Sequence, residues 1–95
     1  MPAYVIVEID VHDPSLYEQY KALTPGSLAK YGARFIVRGG AADSLEGKPP
    51  AGRVVVLEFP DANAAKRWWS SPEYEAAKVL RHQAATTRLF VVEGT

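Results

Sequence analysis

Residues 34–59 read RFIVRGGAADSLEGKPPAGRVVVLEF. Two runs rich in β-formers follow one another here, Arg34-Phe35-Ile36-Val37-Arg38 and Arg53-Val54-Val55-Val56-Leu57-Glu58-Phe59. Between them stand only Gly39-Gly40, expected to bend or bulge the first run, and an extended connection holding Gly47, Pro49 and Pro50. These are therefore consecutive strands. Outward from this pair, each side offers one helical region and one further strand. Upstream, Ala3–Val11 is rich in Val and Ile and reads as a strand. Asp13-Pro14 then opens a helix, with Asp13 as cap and Pro14 at its first position. Leu16, Tyr17, Tyr20 and Leu23 give that helix an apolar face. Thr24-Pro25 is expected to interrupt it, with Thr24 capping a short segment that carries Leu28 and Tyr31 and ends at Gly32. Downstream, Pro60-Asp61 begins a helix containing Ala64, Ala65, Trp68 and Trp69. Ser71-Pro72-Glu73 restarts it to about Ala85, and Arg88 to Glu93 forms the last strand.

The order is β-α-β-β-α-β. Right-handed crossovers turn it into an antiparallel sheet in the order fourth, first, third, second, with both helical regions on one face. The expected fold class is α+β, a single ferredoxin-like domain over residues 1–95. A chain of 95 residues buries roughly two-thirds of its unfolded surface and has a thin core of its own.

Composition narrows the partners. Eleven basic and eleven acidic residues give zero formal net charge, so the counterion release that drives nucleic-acid binding has no source. The short Lys66-Arg67 cluster is too small to dock on a membrane, and no apolar run approaches a membrane span. The chain has no cysteine, which removes disulfides, thiolate nucleophiles and Cys-ligated metals. With no signal peptide evident after Met1, the expectation is a cytoplasmic protein.

Strand alternation splits the side chains into two sets. Val5, Val7, Ile9, Phe35, Val37, Val55, Leu57 and Phe59 form a wholly apolar set that should meet the helices. The other set, Tyr4, Ile6, Glu8, Arg34, Ile36, Arg38, Val54, Val56 and Glu58, mixes charge with large apolar groups. The last strand is apolar on both sides. One helical layer covers one face, so the second would leave an apolar patch bare, and a second copy packed sheet to sheet would cover it. A homodimer is expected.

Four motifs, Tyr31-Gly32-Ala33-Arg34-Phe35, Arg38-Gly39-Gly40, Val56-Leu57-Glu58-Phe59-Pro60 and Ser71-Pro72-Glu73-Tyr74, together with their spacing, resemble the bacterial family known as domain of unknown function 1330. The resemblance covers nearly the whole chain. Ala33 departs from it, standing where many members carry a second glycine. The resemblance implies a dimeric α/β barrel, in which two such sheets close on each other. It also implies kinship with cofactor-independent monooxygenases, muconolactone-isomerase-like proteins and haem-handling enzymes. The family has no established activity and so supplies no catalytic residues, and a shared fold does not fix chemistry.

Candidate site residues therefore come from the chain itself. Arg38 and Glu58 are expected on neighbouring strands and one face, with Glu8 nearby on the next strand. A sequestered cluster of this kind could act as a general acid/base or anchor an acid, or it could be a structural ion-pair network. His12, two residues from Asp10, is a second acid/base candidate, or a plain loop histidine; two ligands are too few for a metal. Tyr17, Tyr20 and Trp68 could wall a pocket for a flat organic ligand, or simply pack the core. Trp68 and Trp69 point about 100° apart, so one should pack inward and the other at an edge. Arg81 shares a helix stripe with Tyr74 and Ala77 and could clamp a ligand carboxylate, or pair with Glu73 or Glu75 of a neighbouring copy. His82 beside it reads as structural. Gly39-Gly40 lacks the strand–loop–helix setting of a phosphate loop, and no Ser-His-Asp order is present. No cofactor or metal is expected. Three functions stay open: a cofactor-independent enzyme acting on a small organic acid or aromatic compound, a non-catalytic small-molecule-binding or regulatory module, and a structural dimer.

Overall fold

The computed structural model describes all 95 residues. Its elements run β1 (Ala3–Val11), α1 (Pro14–Ala29), β2 (Arg34–Arg38), β3 (Arg53–Phe59), α2 (Ala62–Trp69), α3 (Pro72–Ala84) and β4 (Ala85–Glu93). The sheet is antiparallel in the order β2-β3-β1-β4, open at both edges, with the helices on one face, as expected from the sequence. Extents of 33 × 31 × 16 Å describe a slab of two layers, one of helix and one of sheet. No helix is long and apolar enough to cross a membrane.

The core follows the alternation of β1 and β3. Val5, Val7, Ile9, Val55, Leu57 and Phe59 are buried against Tyr17, Tyr20, Trp68 and Tyr74 from the helices. Trp68 is buried and Trp69 is 42% exposed, the division their spacing required. Caps behave as read: Asp13 Oδ1 accepts from Leu16 N, Asp61 Oδ1 from Ala64 N, and Ser71 Oγ from Tyr74 N. Gly32, at φ +67°, closes α1 with Ala33 N donating to Leu28 O and Gly32 N to Ala29 O, the paired bonds of a Schellman motif.

Three local expectations are corrected. First, α1 does not stop at Thr24-Pro25; Pro25 lies inside it. Thr24 is not a cap. Its hydroxyl donates back to Tyr20 O (2.8 Å), and Ser27 Oγ donates to Thr24 O (2.7 Å), so hydroxyls tie the turn around the proline together. The inward stripe accordingly passes through Thr24 and Ser27, and Leu23 is left 46% exposed. Second, β4 begins at Ala85, directly after α3, because Ala85, Thr86 and Thr87 already pair with Val11, Asp10 and Ile9.

The third correction decides where Arg38 goes. Along β2 the register runs Arg34 to Glu58 and Phe35 to Leu57, then Val37 to Val56 and Arg38 to Val55. Ile36 is the extra residue of a β-bulge, three positions before the glycine pair expected to make one. A one-residue insertion reverses the facing of the residues beyond it. Val37 joins the open face opposite Val56, while Arg38 moves to the helix-covered face with Val55. Arg38 and Glu58 thus lie on opposite sides of the sheet and form no pair.

Candidate functional site

The open face holds the carboxylates without bringing them together. Glu58 accepts from Arg34 Nε at 2.7 Å and from Tyr4 OH at 3.4 Å. Glu8 pairs with Arg88 at 3.4 Å. Glu58 stands opposite Tyr4, four residues from Glu8 along β1, so the two acids are roughly 13 Å apart at about 3.3 Å per residue. The expected two-carboxylate cluster is absent. His12 follows β1 at the domain's rim, where Nε2 meets Thr86 Oγ1 at 2.6 Å. No group of three or more His, Cys, Asp or Glu could hold a metal ion.

The remaining candidates meet on the helix side, in two places. The larger is a cleft of about 400 Å³ between α2, α3 and β4. Trp68, Trp69, Leu89 and Val91 form apolar walls, and Lys66, Arg81 and His82 supply the titratable groups. Arg81 lies on the α3 stripe with Tyr74, Ala77 and Ala84 and is 2% exposed. Glu73 and Glu75 of the same chain make other contacts, with Lys30 and Tyr31 and with Lys78. Arg81 Nε donates to Tyr74 OH at 3.2 Å and Nη1 donates to Thr87 Oγ1. Both partners are neutral. None of the ion pairs in the protein involves Arg81. A buried guanidinium with no counter-charge is costly, and an anion in the cleft would offset that cost with charge-assisted bonds.

The second place is a narrow slot between α1 and the β2–β3 edge, lined by Tyr17, Tyr20, Lys21, Phe35, Arg38 and Arg53 among others. A hydroxyl relay joins the two: Tyr20 OH and Tyr74 OH are 2.9 Å apart, and Tyr74 OH also receives Arg81 Nε. Trp68 is fixed from behind, its Nε1 donating to Ser27 Oγ at 3.0 Å and its ring lying 4.0 Å from that of Tyr74. Of the residues singled out in the sequence, Trp68 and Arg81 line the cleft and Tyr17, Tyr20 and Arg38 line the slot. His12 and Glu58 line neither. His82, read from the sequence as structural, and Lys66 line the cleft as well, and Arg53 lines the slot; neither Lys66 nor Arg53 was singled out as a site residue. Arg53 had a signal, since stepping the inward alternation of Phe59, Leu57 and Val55 back by two reaches it. His82 and Lys66 had none, because their approach to the cleft depends on how α2 and α3 sit beside β4.

Burial pushes the Tyr17 phenol up, opposed by the positive charge of Arg53. Burial pushes Tyr20 far above its usual range, reinforced by the neighbouring Tyr74. At the surface, a hydrogen bond from Tyr31 OH (2.6 Å), helped by the Lys30 charge, holds Glu73 below its usual value. A group raised in the folded state stabilises fully below its unfolded value, about 10, and that stability drains as pH climbs toward the folded value. Urea midpoints should therefore fall steadily once pH passes about 10. Tyr20→Phe should flatten the decline. An equal slope in Tyr20→Phe would remove Tyr20 as its cause.

The family model of the domain of unknown function DUF1330 matches residues 2–95. No curated protein matches the chain. Among solved structures, a protein of unknown function from Rhodopseudomonas palustris is similar at 19% identity and a TM-score of 0.72, over 99% of this chain and 82% of that one. A dimeric ferredoxin-like protein of unknown function from Jannaschia sp. CCS1 is similar at 15% identity and 0.73, over 99% and 100%. SnoaB, a cofactor-independent oxygenase from Streptomyces nogalater, is similar at 14% identity and 0.67, over 99% and 93%. At these identities the likeness is one of fold.

Proposed function

The chain belongs to the DUF1330 family, and we propose that it is a homodimer whose subunits each bind a small, flat organic acid in the α2–α3–β4 cleft and act on it without a cofactor. The observation that carries this reading is Arg81, a buried guanidinium with no carboxylate partner at the wall of a largely apolar cleft. In this proposal Arg81 takes the ligand carboxylate, with Tyr74 and Thr87 holding its orientation. Trp68, Trp69 and Leu89 face the apolar body of the ligand, and a cleft of about 400 Å³ suits one aromatic ring with a short substituent. His82 is the imidazole at the cleft, and the proton-transfer role read from the sequence for Glu58 and His12 passes to it. Kinship of fold with a cofactor-independent oxygenase and with a dimeric protein supports the reading.

A specific observation also favours a non-catalytic binder: the cleft is lined by no carboxylate, so His82 and Lys66 are left to carry its acid/base chemistry. The two readings separate on His82→Gln. Turnover lost with binding kept identifies the enzyme.

Binding itself is tested by titrating benzoate, cinnamate and their neutral amides against tryptophan emission, since both tryptophans line the cleft. Saturable quenching by an acid is expected, weakened about 10- to 100-fold in Arg81→Met, the range of a charge-assisted hydrogen bond. Equal binding of acids and amides, or an unchanged affinity in Arg81→Met, would contradict the proposal.

A further inference from the structure

The β2–β3 edge holds a second concentration of positive charge, separate from the cleft. Lys21 is neutralised by Glu18 at 2.8 Å, but no carboxylate pairs with Arg38 or Arg53. Both arginines line the slot. Arg38 is there because of the bulge at Ile36, and Arg53 because it stands opposite the inward-facing Ile9. Arg38 Cζ lies 4.2 Å from the Phe35 ring centroid, and Arg53 Cζ lies 5.9 Å from that of Tyr17. Two like charges would ordinarily splay apart into solvent. Here Arg53 Nη2 is tied to Arg38 O at 3.3 Å. Arg53 also packs over Gly39, at φ +76°, where any Cβ would collide with the guanidinium. Its Nε is buried and has no hydrogen-bond partner. A charged N–H left unpaired is costly, and an anion beside the guanidinium would offset that cost.

We propose that this slot is an oxyanion site, in which Arg38 and Arg53 grip the head of a phosphate or phosphate monoester beside the Tyr17 hydroxyl. The ligand class follows from charge and size. Two unpaired guanidinium groups are neutralised by a dianion, whereas a carboxylate would leave one positive charge over. The slot, about 20 Å³ against about 400 Å³ for the cleft, has room for little more than a water, so the anion is taken at its mouth, where Arg38 is exposed. Tyr17 stays a neutral donor, since burial raises its pKa. This site is independent of the acid-binding cleft, and either could fail without the other.

The test uses inorganic phosphate on the intact protein. Phosphate should raise the thermal unfolding midpoint saturably, and acetate at equal ionic strength should not. The response should vanish in Arg53→Met and in Arg38→Met and persist in Arg81→Met. In wild-type protein the Arg53 Nε–H resonance should move on phosphate addition, a readout that needs no variant to fold. Equal responses to acetate and phosphate, or a motionless Arg53 Nε–H signal, would overturn the proposal. Loss of the response in Arg81→Met alone would place the anion in the cleft and overturn it too.

Discussion

Trp68→Ala is expected to cost about 3–5 kcal/mol of unfolding free energy, the range for removing a fully buried indole. That is a large share of the roughly 5–15 kcal/mol that holds a domain folded. Three terms act together. The side chain is 1% exposed, and its removal leaves a cavity into which the close-packed surroundings relax only partially. Its ring lies 4.0 Å from Tyr74 and 5.4 Å from Phe59, so both lose an aromatic neighbour. Its Nε1 bond to Ser27 Oγ is lost, leaving a hydroxyl accepting position empty inside α1. Equilibrium urea unfolding at fixed protein concentration measures the sum. Trp69→Ala, removing a 42% exposed ring, should cost far less. Equal losses in the two variants would mean that the division of roles between the tryptophans is wrong.

If the proposed homodimer forms through the open face, Ile6→Asp is expected to yield monomers. Ile6 sits at the centre of the open face, opposite Val56 on one side and Phe90 on the other. With Ile36, Val37 and Val92 these residues make an apolar field, and Ile36, Val37, Phe90 and Val92 are each 36–46% exposed in the single chain. The helices all lie on the other face, so only another molecule can cover this one. Two of the charged pairs on this face, Arg34–Glu58 and Glu8–Arg88, are internally balanced and can be covered without stranding a charge. An aspartate at position 6 is partly in water in a monomer. In a sheet-to-sheet dimer it would be buried without a partner in both copies. The penalty is several kcal/mol, equivalent to a weakening of about 1000-fold or more. Sedimentation across a concentration series reads this directly. A variant that sediments as wild type would show that the interface is not this face.

Most of the fold was legible because its signals are local and redundant. Alternation in Val5-Ile6-Val7-Glu8-Ile9 fixes a half-buried strand, and Asp13-Pro14, Asp61 and Ser71-Pro72 mark helix starts by the chemistry of free N–H groups. The failures share a cause. Pro25 continues a helix because tertiary packing of Tyr20 and Leu28 outweighs a local breaker. The bulge at Ile36 has no local signature; β2 is an edge strand, and its register is set by pairing with β3 rather than by its own residues. One unpaired residue then carried Arg38 through the sheet and dissolved the expected Arg38–Glu58 site. The residue types of the candidate site were legible, and their grouping was not. Arg81 and Trp68, both singled out in the sequence, line the cleft, and Tyr17 lines the slot. Which of them share a cavity depended on a register shift and on how the helices sit over the sheet.

The most direct measurement is native mass spectrometry of the intact protein sprayed with excess benzoate or cinnamate. A dimer carrying one acid per subunit, reduced to a bare dimer in Arg81→Met, is the expected result. A monomer, or a dimer that takes up neither acid, would contradict the assignment of the Arg81 cleft as the binding site of a homodimeric protein.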